Sequence, residues 1–203
     1  DSNKINMIIR SNFTGNVVNK KEHVTVHRLE DMVDFSGVRM EKSISLVAAQ
    51  TTNIMSSYPM EPIGKYLEYS TTRIESSELT VENFVGVDNL LPDREGKKDS
   101  EFLPSEGLQT KFFQNDILLS NIRPYLKKIW FSDRVGGASN DVLVLHYISE
   151  KILSKYLYYV ISRDEFFNYV MQFKKGIKMH RGDKNKILHY EIPISTLEIQ
   201  DSL

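Results

Sequence analysis

What most restricts the fold of this chain is a change of hydrophobic period near residue 149. Before it, residues 116–122 (DILLSNI), 126–131 (LKKIWF) and 141–147 (DVLVLHY) are apolar runs of strand length. Arg123-Pro124-Tyr125 separates the first two, and residues 136–140 (GGASN) separate the last two as a turn segment. After it, Leu153, Leu157, Val160 and Ile161 recur at helical spacing behind Ser149, a predicted N-cap. A second helix follows, with Ser162-Arg163-Asp164-Glu165 as its capping box and Phe166, Phe167, Val170 and Met171 as its apolar stripe. Gly176, behind Lys174 and Lys175, takes the place of its C-terminal cap. Strands followed by helices predict an α+β domain with a mixed or antiparallel sheet and C-terminal helices. Upstream, residues 83–88 (NFVGVD) read as a further strand and 89–107 as a long surface loop.

Residues 51–62 (TTNIMSSYPMEP) are polar, contain two prolines and lack periodicity, so they read as a linker. This divides the chain into residues 1–57 and a domain over 58–203. The first part offers strand-like runs at 5–9 and 23–27 and a short amphipathic piece at 29–35. So short a stretch rarely holds a core alone, so a β-rich packing arm or the end of a preceding domain is expected. The chain opens on Asp1 without a signal segment and is expected to be a piece of a longer polypeptide. At 40% hydrophobic and 26% charged it is too apolar for a disordered segment, and no run reaches the roughly 18 apolar residues of a membrane span. Cysteine is absent, which removes disulfides, thiol catalysis and cysteine metal sites and fits a cytoplasmic location.

A reactive centre is hard to find. No GxGxxG, GxxxxGK[ST] or GxSxG occurs, and no two prolines adjoin, which excludes the Pro-Pro-aromatic motif of amino-methyltransferases. His23 and His27 have a metal-compatible spacing for a helix, but the residues between them favour a strand, so no metal is expected. Pro92-Asp93-Arg94-Glu95-Gly96-Lys97 resembles an acid–x–Lys nuclease site only superficially. Such a site needs a strand and an opposed carboxylate, and this string lies in a turn-rich loop.

The net charge of −1 conceals a segregation. Residues 1–110 carry 12 basic and 17 acidic side chains, whereas residues 111–190 carry 14 and 7. The densest basic run contains Lys174, Lys175, Lys178, Arg181, Lys184 and Lys186, and a second cluster holds Arg123, Lys127 and Lys128 near Tyr125 and Trp130. Such clusters neutralise phosphates and release counterions. Gly176 and Gly182 would admit a phosphate close to the backbone. Asn121, Asn140, Gln172 and Arg181 have the amide and guanidinium groups that match base edges. The basic candidates for phosphate or groove contact are therefore Arg123, Lys127, Lys128, Lys174, Lys175, Lys178, Arg181 and Lys184, with Asn140, Tyr125 and His180 as candidates for base contact. Arg123 serves equally well as a fold-supporting residue beside Pro124.

Four pieces of the chain resemble target recognition domains of type I restriction–modification specificity subunits. Residues 113–129 (FQNDILLSNIRPYLKKI) are similar to the family's GDILLSxIRPxLKK run. Tyr58-Pro59 through Leu67 is similar to its opening YPLVKLGE, residues 83–90 (NFVGVDNL) to YVGLENI, and residues 192–200 (IPISTLEIQ) to the closing IPxPPLEEQ. Asn115 replaces the family's glycine, and Ser195-Thr196 replaces its proline pair. The chain stops at Leu203, where the family continues into a spacer helix, so it looks like one recognition domain without its coiled-coil ruler. Residues 29–38 (LEDMVDFSGV) are similar to linkers that join an N6-adenine methyltransferase to a specificity region, which leaves a fused enzyme as an alternative to a separate subunit.

The resemblance implies a non-catalytic reader of double-stranded DNA in a bacterial restriction–modification system. It implies an adenine-N6 methyltransferase subunit or domain as partner, with S-adenosylmethionine bound there, and a restriction subunit in type I complexes. Two other classes stay open on the residues. One is a protein-docking module using an aromatic helix face of Tyr156, Tyr159, Phe167 and Tyr169. The other is a metal-dependent nuclease fragment using the loop from Asp93 to Lys97.

Overall fold

A computed structural model describes residues 56–174 and 180–202, so the predicted N-terminal arm, the His23/His27 pair and Gly176 lie outside the described residues. Strands β1 (Met60–Pro62), β2 (Leu67–Tyr69), β3 (Arg73–Glu75), β4 (Phe84–Val85), β5 (Leu108–Phe112), β6 (Ile117–Ser120), β7 (Ile129–Phe131), β8 (Gly136–Ala138) and β9 (Val142–Tyr147) come first. Helices α1 (Ser154–Ile161), α2 (Asp164–Gln172) and α3 (Lys184–Leu188) follow, then β10 (Glu191–Pro193) and α4 (Leu197–Asp201). The class is α+β, as the change of period predicts.

The central sheet has the order β2-β9-β6-β7 and is antiparallel throughout. Its inner strands are apolar at successive positions because both faces are covered. Strand side chains alternate between faces. Ile117, Leu119, Leu143 and Leu145 therefore join Leu157, Ile161, Phe166 and Phe167 in the helix-side core. Leu118, Val142 and Val144 join Val85, Leu90, Phe112 and Ala138 on the other side. That second layer is the sheet β3-β5-β8-β4, mixed because β4 runs parallel to β8. Burial on this scale contributes about 1.5–3 kcal/mol per large apolar side chain.

Residues 136–140, read as a turn from their glycines, contain strand β8 instead. The glycines are there for close packing. A Cβ on Gly136 would collide with the Asn83 carbonyl oxygen, and one on Gly137 would meet Ile74 Cγ2 and Leu79 Cδ2 at 2.9 Å. Both residues are buried, so the sequence signal for a turn is the signature of a close approach between backbones.

The two ends of the family-like region meet each other. β1 pairs antiparallel with β10, with Glu61 opposite Ile192. The pairing extends outward through Ile63 N–H to the Tyr190 carbonyl and Ile194 N–H to the Pro59 carbonyl, at 2.8 and 2.9 Å. Buried Gln200 accepts the Leu153 N–H at 2.8 Å and donates to the Ser195 carbonyl at 2.9 Å, so α4 satisfies the start of α1. This moves the predicted cap. Ser149 lies outside the helix, which begins after Leu153. Ser162 likewise does not cap the start of α2; it ends α1, where its hydroxyl donates to the Tyr158 carbonyl, and α2 starts behind Arg163.

Gly136→Ala is expected to destabilise the domain by about 1–3 kcal/mol or more, because the added methyl meets a fixed carbonyl. A denaturant midpoint within error of wild type would contradict the close-packed second layer.

Candidate nucleic-acid interface

The candidate surface is built where residues 122–128 meet residues 180–184. Ile122 and Arg181 form an antiparallel bridge. The Arg123 N–H donates to the His180 carbonyl at 2.8 Å, and the Gly182 N–H to the Asn121 carbonyl at 3.2 Å. Arg123 has φ 50 and ψ 61, and the chain then makes a 3-10 turn over Pro124–Leu126 that ends at Lys127 with φ 51. Pro124 is buried in this turn, and its fixed φ suits the first helical position. The left-handed backbone of Arg123 turns its side chain to solvent, where it makes no hydrogen bond or ion pair with a described residue.

Neighbouring members of the same basic cluster are committed within the domain. Lys127 pairs with Asp164 at 2.9 Å, and Arg94 reaches the same carboxylate and the Ser162 carbonyl. These two cations hold the Asp164 carboxyl below the usual carboxylate range. Lys128 donates to the Val87 carbonyl at 2.7 Å, and partial burial pulls its ammonium pKa down. Lys128 thus ties β7 to the loop after β4. That loop is also held by buried Asn89, whose Nδ2 donates to the Phe84 and Lys98 carbonyls at 2.8 and 3.1 Å.

Tyr125 is 48% exposed, with its ring edge-on to His180 at 6.5 Å between centroids. Arg181 is exposed and bonded to Asp141 at 3.0 Å, on the turn that also carries exposed Asn140. Lys184 opens α3 behind Asp183, whose carboxylate accepts the Asn185 N–H at 3.0 Å. Its ammonium lies 5.8 Å from the Tyr69 ring. The structure therefore joins Arg123, Tyr125, Asn140, His180, Arg181 and Lys184 into one strip. Lys174 is exposed after α2, while Lys175 and Lys178 lie outside the described residues.

One candidate reader and one candidate phosphate contact are not available. Asn121 is buried, its Oδ1 unpartnered among the described residues and turned toward the site of a Gly182 Cβ, 3.2 Å away. Gly182 faces Val170 and Ile187 and so serves packing, not the approach of a phosphate. Gln172 is exposed at the end of α2. On the aromatic helix face, Tyr156 and Phe167 are buried in the core and Tyr159 alone of the four is exposed. In the loop at 92–97, Asp93 and Arg94 adopt positive φ and Lys97 donates to the Glu82 carbonyl at 2.8 Å. Among the described residues no group of three or more His, Asp or Glu side chains is placed to hold a metal ion. No described helix is long and apolar enough to cross a membrane.

The motif carrying the strip is anchored from behind. Asn115 takes φ 71, the conformation a glycine would supply, so the replacement keeps a left-handed turn. Asp116 is fully buried, accepts the Phe113 N–H at 2.7 Å and meets His146 Nδ1 at 2.6 Å. Burial pushes its carboxyl above the ordinary aspartate value of 3.8, while the Phe113 N–H and His146 pull the other way.

No family model and no curated protein sequence matches this chain. Solved structures do. A chain from a structure of complex assembly and conformational transition of the type I R-M system matches with a TM-score of 0.51 and 12% identity, over 75% of this chain and 38% of that one. The HsdS subunit from Thermoanaerobacter tengcongensis matches at 0.46 and 12%, over 75% and 37%. The type I restriction-modification S subunit from M. genitalium matches at 0.48 and 12%, over 74% and 39%. At such identity the likeness is one of fold. The domain shares its α+β fold with the matching part of the type I R-M system chain, and this chain spans well under half the length of the chains it matches.

Two expectations follow. Lys128→Ala is expected to cost about 1.5–3 kcal/mol of stability, the range for a hydrogen bond from a charged donor, measured by denaturant unfolding. Because the folded pKa of Asp116 lies above its unfolded value, its contribution to stability is full below about pH 3.8 and is lost as pH rises through the folded value. The stability of wild type relative to Asp116→Asn should therefore fall with rising pH, and a difference independent of pH would contradict the assignment.

Proposed function

We propose that this chain is a sequence-specific recognition domain for double-stranded DNA, itself non-catalytic, serving a restriction–modification methyltransferase or endonuclease complex. The observation that carries this reading is the strip at the Ile122–Arg181 bridge. There, cations and donors from distant parts of the sequence come together at the surface, and the Arg123 guanidinium has no partner among the described residues. A structure gains nothing internally from an unpaired guanidinium held out by a left-handed backbone, whereas a phosphate gains a planar donor fork. The fold shared with a chain of the type I R-M system supports the biological setting.

On this reading the catalytic work lies elsewhere. An adenine-N6 methyltransferase, on a partner or on a fused part of the polypeptide, binds S-adenosylmethionine and acts on a flipped adenine. In a type I assembly a restriction subunit joins it. Arg123, Arg181, Lys184 and Lys174 grip phosphates, with Lys175 and Lys178 continuing the basic run. Tyr125, His180 and Asn140 face the grooves. Lys127 and Lys128 add charge behind the strip while holding the fold.

The double variant Arg123→Ala, Lys184→Ala tests the reading, by affinity measured across salt concentrations on unrelated duplexes. Affinity is expected to fall for every sequence, and the slope of log K against log salt to flatten by about 2, because two fewer phosphates are neutralised. An unchanged slope would overturn the assignment of the strip.

A further inference from the structure

A groove of about 200 Å³ opens beside the strip, lined by Tyr69, Ser70, Arg73, Thr110, Asn140 and Lys184, with β9 as its floor. We propose that this groove reads base edges and that Arg73 and Asn140 are specificity-determining residues, an inference that rests on the DNA-binding reading above.

The lining holds two cations, an amide and hydroxyls, and no carboxylate. Its walls are fixed. Arg73 stands opposite Thr110 in the β3–β5 register, and its Nη1 donates to Thr110 Oγ1 at 2.8 Å. That bond orients the guanidinium and uses one of its five N–H groups, leaving the other donors open among the described residues. Asn140 is exposed on the turn before β9, and its amide makes no hydrogen bond to a described residue. The groove continues the strip without a break. Asn140 adjoins Asp141, which holds Arg181 at 3.0 Å, and Lys184 belongs to both surfaces. Tyr69 closes one end by donating from its hydroxyl to the Lys184 carbonyl at 2.9 Å.

The chemistry of the two surfaces differs in kind. The strip presents separate charges, which bind phosphates in any sequence. The groove presents a fixed guanidinium edge and a free carboxamide, the groups that pair with guanine O6 and N7 and with adenine N6 and N7. Arg73 escapes a reading based on charge density because it is an isolated cation in the acidic part of the sequence, about 50 residues before the basic cluster.

The test is selection by the full chain from a pool of randomised duplexes, with the enriched sequences compared between variants. Wild type is expected to enrich a short motif. Arg73→Ala and Asn140→Ala should each lose preference at one or two positions of it, by about 10-fold per position, and keep the rest. Arg73→Lys, which retains charge and a folded surface, should lose the same preference. Arg123→Ala should lower affinity for the whole pool and leave the motif intact. If the Arg73 and Asn140 variants enrich the wild-type motif, or weaken all sequences equally, the groove is not a reader. Those variant outcomes overturn this inference alone; wild type that binds duplex without enrichment overturns the sequence specificity of the proposed function as well, and wild type that binds no duplex overturns that function altogether.

Discussion

Everything at the candidate DNA surface depends on one short antiparallel stitch, the bridge of Ile122 with Arg181. It joins the end of a central strand to the segment between α2 and α3, which would otherwise have no reason to lie together. Two backbone bonds flank it, and Gly182 is where the second chain segment passes so close to Val170, Asn121 and Ile187 that a side chain would press on them. The stitch makes the strip a product of the fold. Arg123 faces outward because its backbone is left-handed, and it is left-handed because residues 121–123 must bond residues 180–182 before turning at Pro124.

The rigidity behind the strip comes from a sheet buried on both faces. Leu118 packs toward the second sheet while Ile117 and Leu119 pack toward the helices, so β6 cannot slip by one residue without exchanging two cores. Asp116 and Asn115 fix the turn into that strand, Lys128 ties the loop after β4 to the β7 edge of the sheet, and Asn89 braces that loop from within. Side chains that read a groove must be held within a fraction of an ångström, and the short turns that carry Arg123 and Asn140 hang directly from this frame.

Much of this is legible in the sequence, for definable reasons. The strands at 117–120, 129–131 and 142–147 and the helices at 154–161 and 164–172 announce themselves because local period and burial agree. β8 is hidden because glycine signals both turns and close approach, and only the position of the Asn83 carbonyl tells them apart. The β1–β10 pair is hidden because two short, proline-bearing strands find each other across some 130 residues. Charge clustering locates the strip but cannot rank its members. Lys127 and Lys128 look like Arg123 in sequence, yet Asp164 and the Val87 carbonyl occupy them. Asn121 and Asn140 look equally able to read a base, yet one is buried and one exposed. The near-neutral total charge only averages an acidic front with the basic segment that builds this surface.

The central claim is that the strip at the Ile122–Arg181 bridge is the face that meets DNA. Amide hydrogen exchange of the full chain, with and without saturating duplex, tests it most directly. The account predicts new protection over residues 122–128, 139–141 and 180–184, with little change in α1 or in residues 99–107. Protection confined to those latter segments, or none at saturation, would contradict it.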